Sequence, residues 1–102
     1  MAGSKPYRLH RLAWLEIEGG DDWYRERNAD ASVAFISAIA DALESIAETP
    51  RRWPEYLHGT RRFILQRFPF SVIYFDEPDV VNIVAVAHHK RRPGYWRRRI
   101  TH

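Results

Sequence analysis

Cysteine is absent from the sequence and methionine occurs once. Disulfide scaffolds, thiolate zinc sites and cysteine nucleophiles are therefore excluded, and a reducing compartment is permitted. Long apolar runs are missing too, since no stretch approaches the roughly 20 residues that a membrane-spanning helix needs. The opening Met1–Pro6 lacks the apolar core of a secretory signal, so a cytoplasmic protein without a membrane partner is expected. There are no internal repeats, and the arginine clusters are the one compositional bias. What remains is ordinary globular composition, with 45% hydrophobic and 28% charged residues and a generous 14% aromatic share, which excludes wholesale disorder. At 102 residues the chain is too short for two cores, and a single domain over residues 1–102 is expected.

The net charge of +3 conceals a division along the chain. Residues 1 to 87 carry all 13 acids and 10 of the 16 Lys and Arg, a balance of −3. Residues 88 to 102 carry Lys90, Arg91, Arg92, Arg97, Arg98 and Arg99 with no acid, a balance of +6. A near-neutral body with a cationic end points to an anionic partner, nucleic acid or an acidic protein surface; the plainer reading is a solvated tail.

Hydrophobic periodicity divides the rest. Tyr7 to Leu12 alternates as a strand would, and Ala13 to Arg27 turns helical, with Gly19 and Gly20 marking a kink or a close helix contact. Asp30 is the expected N-cap of a second helix, whose Val33, Ile36, Ile39, Leu43 and Ile46 recur at three- and four-residue spacing. Pro50 ends it near Glu48. With only Asn28 and Ala29 between them, the two helices form an antiparallel hairpin. Beyond a loop punctuated by Pro50, Pro54 and Gly59 the period falls to two. Strands are expected at Arg61 to Arg67, Phe70 to Phe75 and Val80 to His88, the last apolar on both faces and so placed mid-sheet. The aromatic residues Trp14, Trp23, Tyr24, Phe35, Trp53, Phe63, Phe68 and Phe70 are read mostly as core. Pro93 to His102 reads as a short aromatic and basic tail. The fold class is α+β: an N-terminal strand, an antiparallel helical hairpin on one face, then a three-stranded antiparallel meander.

Several phrases in this order carry a resemblance. They are Trp23-Tyr24-Arg25-Glu26-Arg27, then Ala42 to Pro50, then Gly59, Arg61 and Arg62 before Phe68-Pro69-Phe70. Val84-Ala85-Val86-Ala87-His88 follows, with Arg91, Arg92, Pro93 and Trp96. Over Tyr7 to Arg99 the chain resembles the RelE/ParE superfamily of type II toxins, and ParE-like members more than RelE-like ones. The resemblance implies a small RelE/ParE-like fold and one of two activities. RelE-like toxins cut mRNA in the ribosomal A site; ParE-like toxins bind and poison DNA gyrase without a hydrolytic site.

RNA cleavage needs a group to take the 2′-OH proton, cations for the charged phosphorane and an acid for the leaving oxygen. Carried over from RelE-like toxins, one catalytic arginine corresponds to Ser71 and another to His89, while the C-terminal tyrosine has a counterpart in Tyr95. Trp96, beside it, is the residue typical of ParE-like sequences. No residue is therefore assigned as catalytic. Should the chain be a nuclease, the candidates are His88, His89, Arg91, Arg92 and Tyr95.

Target or antitoxin contact is expected at Arg61, Arg62, Lys90, Arg91, Arg92, Tyr95, Trp96, Arg97, Arg98 and Arg99, since guanidinium groups meet phosphates and carboxylates alike. The adjacent His88 and His89 point to opposite faces while the strand continues and so do not chelate one ion; no metal or cofactor is expected. His89 is weighed as an acid–base group against a histidine packed under the tail.

The expected activity is growth arrest by inhibition of a large target, DNA gyrase. The expected partner is a cognate antitoxin with an acidic C-terminal segment, which lays itself over apolar grooves of the hairpin and sheet. DNA is met only through the toxin–antitoxin complex. The alternatives are a ribosome-dependent mRNA endoribonuclease and an inactive member kept for antitoxin binding.

Overall fold

The computed structural model describes residues 4–100. Strand β1 (Tyr7–Leu9) leads into helix α1 (Arg11–Arg27) and helix α2 (Ala29–Glu48). Strands β2 (Arg61–Ile64), β3 (Phe70–Asp76) and β4 (Val81–His88) follow. The sheet order is β1-β4-β3-β2. β1 runs parallel to β4, and the other pairs are antiparallel. The strand that is apolar on both faces thus lies inside the sheet, as its composition requires.

Element ends differ from the sequence expectation for local reasons. The first strand stops at Leu9 because His10 caps α1, its Nδ1 accepting from Leu12 N at 3.0 Å. At the hairpin, Asn28 replaces Asp30 as cap. Its Oδ1 accepts from Asp30 N at 2.9 Å and Ala31 N at 3.2 Å, while its own N–H donates to Tyr24 O at 2.7 Å. One residue therefore closes α1 and opens α2, and Asp30 falls in the first turn, where its charge suits the helix dipole. β2 ends at Ile64 and not at Arg67, because Leu65 N turns to Phe70 O at 3.0 Å to close the connection.

The hairpin covers one face of the sheet. Ala13, Ile17, Phe35, Ile39, Leu43 and Ile46 pack on Val72, Tyr74, Ile83 and Val86. Gly20 is demanded by this contact, since a Cβ there would stand 2.7 Å from the Phe35 ring. Nothing lies within 4 Å of a Cβ on Gly19. Tyr74 donates its hydroxyl to Pro50 O at 2.6 Å, and burial pushes that hydroxyl up to about 12 against the pull of Arg61. Not all of the predicted core is inside. Trp14 and Trp23 are each 52% exposed, lying off the α1 stripe of Ala13, Ile17 and Gly20, and Val33 is 70% exposed, off the α2 stripe of Phe35, Ile39 and Ile46.

The opposite face, unassigned by sequence, is covered by the C-terminal segment. Trp96 is 1% exposed and packs with Ile73, Val84 and Ala85. A bulge makes room: Ile73 pairs with Ala85 while Tyr74 pairs with Ile83, leaving Val84 unpaired. Two successive β4 residues consequently face the same side. The tail is thus part of the fold as far as Ile100; Thr101 and His102, like the opening Met1–Gly3, lie outside the described residues.

Candidate functional site

The C-terminal segment is built by a chain of short turns. His89 N donates to Pro69 O at 2.9 Å, Arg91 N to His88 O at 2.9 Å and Tyr95 N to Arg92 O at 3.1 Å. Gly94, at φ 82°, supplies the left-handed step that lets Trp96 swing under the sheet. Arg97–Arg99 then form a single 3-10 turn.

Between this segment and strands β2, β3 and β4 lies a cavity of about 240 Å³. Its floor holds the two positions where the resemblance would have placed arginines, and they engage each other: Ser71 Oγ and His89 Nε2 are 2.8 Å apart. Its walls hold Arg62, Arg91 and Arg92. Two of these lie on aromatic rings, Arg62 at 4.1 Å from the Tyr56 centroid and Arg91 at 3.9 Å from that of Tyr95. Such stacking restrains a long side chain without neutralising it. No Asp or Glu lines the cavity, and none of the three guanidinium groups forms an ion pair among the described residues. The arrangement is a preorganised set of cations suited to an oxyanion.

His88 and His89 are not equivalent. His88 sits edge-on to Phe70 with centroids 4.9 Å apart, and its Nδ1 accepts from Lys90 N at 3.0 Å. Burial, assisted by Lys90 and His89, lowers its pKa, so the neutral ring is favoured. Among the described residues no three His, Asp or Glu side chains gather as a metal site would require.

The remaining site residues divide between surface and scaffold. Lys90, Arg97 and Arg98 are exposed. Trp96 is a core residue, so its expected role as a surface contact is corrected: the sheet claims its ring. Arg99 is likewise internal, its side chain 11% exposed and forked onto Glu16 at 2.8 and 3.0 Å. Tyr95 donates its hydroxyl to the same carboxylate, and burial, then Glu16, drives its pKa up. That phenol is held and reluctant to ionise. Arg61 is turned away from the cavity, bonded to Trp53 O at 2.6 Å and Arg51 O at 3.2 Å. Glu16 and Tyr56 were missed by sequence reasoning. Nothing in a helix that also carries Glu18 marks Glu16 out, and Tyr56 lies in an irregular loop.

A second, apolar depression of about 400 Å³ runs between β1 and the hairpin, lined by Tyr7, Leu9, Trp14, Ile17, Ile36 and Leu43 among others. No helix among the described residues is long and apolar enough to cross a membrane.

The family described as ParE toxin of type II toxin-antitoxin system, parDE, matches residues 7–93. Among solved structures, the chromosomal ParDE TA system from P. aeruginosa superposes with a TM-score of 0.73 at 16% identity, covering 83% of this chain and 96% of that one. No curated protein sequence matches the chain significantly.

Proposed function

Because the chain belongs to the ParE toxins of type II toxin-antitoxin systems, we propose that it arrests growth by binding and inhibiting DNA gyrase until a cognate antitoxin covers it. The observation that carries the target reading is the cavity of unpaired Arg62, Arg91 and Arg92 around a Ser71–His89 pair. Two of its three cations, Arg62 and Arg91, are fixed on rings, and all three are open to an acidic partner. The two groups at its floor satisfy each other where transferable arginines would otherwise face a substrate. Exposed Lys90, Arg97 and Arg98 extend the same positive surface and speed encounter with an anionic partner.

The apolar depression beside Trp14 and Ile36 supports the antitoxin half. An antitoxin segment seated there would cover side chains that the isolated toxin leaves wet. Both partners are met in the cytoplasm, and the toxin reaches DNA only through its complexes.

The decisive measurement is gyrase supercoiling with purified toxin. Inhibition that disappears in the Arg91→Ala, Arg92→Ala double variant is expected; unimpaired supercoiling at saturating toxin overturns the target. One observation favours a second reading. His88, His89, Arg91, Arg92 and Tyr95 all line the cavity, so a ribosome-dependent endoribonuclease predicts cleavage of ribosome-bound mRNA. Tyr95→Phe does not separate the two cleanly, since it also removes a hydrogen bond to Glu16.

A further inference from the structure

β1 pairs with β4 only from Val81 to Ile83. Beyond Ile83 that edge of β4 has no strand, yet its backbone groups are not left to water. Glu16 Oε1 accepts from Val86 N at 3.0 Å, and Arg99 Nη1 donates to Val84 O at 3.2 Å. An acid from α1 and an arginine from the C-terminal segment together replace the missing rungs. The same carboxylate also receives both Arg99 nitrogens and the Tyr95 hydroxyl. Four donors from two elements thus converge on one side chain.

The consequence reaches the cationic surface. Tyr95 is the ring on which Arg91 lies, and Arg99 ends the turn that displays Arg97 and Arg98. Without the carboxylate, Arg99 would be a nearly buried cation with no anion to balance it, which is unfavourable enough to drive it outward. Its departure would free Val84 O and the turn with it. Trp96 would still hold the middle of the segment, but both ends of the cationic surface would lose their reference point.

We propose that Glu16 is a positioning residue: it touches no target itself, but sets the shape of the Arg91–Arg98 surface from inside the fold. This rests on the reading that the surface meets the target. The test uses the full chain and compares Glu16→Ala, Glu16→Gln, Arg99→Ala and the Glu16→Ala, Arg99→Ala double variant. Ile46→Val, in the core on the opposite face, serves as the control for lost stability alone.

Amide exchange over residues 91–100 is expected to quicken in Glu16→Ala while α2 and β3 keep their protection. Gyrase inhibition per folded molecule is expected to fall about tenfold, as loss of one charge-assisted anchor implies. Glu16→Gln, which can still accept from Val86 N, restores part of it. The double variant is expected to be no worse than either single one. The proposal is overturned if Glu16→Ala inhibits as well as wild type, if its loss merely matches that of Ile46→Val, or if exchange over 91–100 is unchanged. If wild-type toxin leaves gyrase untouched, the target reading fails by itself. Growth arrest on expression then provides the readout for the same variants, whatever the surface meets.

Discussion

The two faces of the sheet are held by different physics. On the hairpin face, Phe35, Ile39, Leu43 and Ile46 bury apolar area over a broad contact, a non-directional stabilisation worth about 1.5–3 kcal/mol for each large side chain. On the other, Trp96, with Tyr95 and Ile100 beside it, and one hub carboxylate hold a segment otherwise rich in arginine. Area alone would allow such a segment many arrangements. Directional bonds from Glu16 select one, and that is the face bearing the unpaired cations. Bulk apolar packing and the cationic surface therefore lie on opposite sides of the same four strands.

The most severe way to test that division is to cut into each face in turn. Phe35→Ala should cost about 3–5 kcal/mol, read by chemical denaturation, and should loosen the whole molecule, because its ring touches both helices and β3. Trp96→Ala should cost about 3 kcal/mol but raise amide exchange first over residues 91–100. Uniform loosening in both variants would erase the distinction.

A smaller and sharper contrast uses two neighbouring glycines of α1. Gly20→Ala drives a methyl group into Phe35 and should destabilise by about 1–3 kcal/mol. Gly19→Ala meets nothing and should stabilise by about 0.5–1 kcal/mol through the helix preference for alanine. Thermal unfolding of the pair would show shifts of opposite sign.

The smallest expected effect is a pH slope at the boundary of the two faces. An unfolded histidine takes up its proton near pH 6.5, whereas folded His88, its pKa lowered by burial and its cationic neighbours, takes it up only at lower pH. The unfolded chain binds more protons in that window, so stability holds above about pH 6.5 and declines as the pH falls below it. His88→Gln should flatten that part of the profile.

Sequence periodicity conveyed what repeats. The α2 stripe, the strand that is apolar on both faces and the meander were legible because burial imposes a regular spacing on them. Single-residue choices were not. Asn28 and Asp30 are equally good caps, and the decision fell to Asn28 because it can serve two helices at once. The C-terminal segment read as a short aromatic and basic tail for partner contact, because arginines outnumber apolar residues there. Trp96 is its most buried residue, and its indole gives no sign in sequence of which way it faces. Glu16 was invisible for a different reason: its partners Tyr95 and Arg99 lie 79 and 83 positions away.

The placement of β4 also has a consequence in time. Of the four described strands it is made last, yet it lies between the first and the third. A nascent chain that has made only β1 to β3 has no neighbour for β1 and lacks the β4 part of the floor under either cover. The hairpin can form early from local contacts, but the sheet must wait for Val81 to His88 to fill its gap. The cationic surface, hung on the far side of that strand, is assembled only after it, so a chain that stops short of β4 carries helices but not that surface.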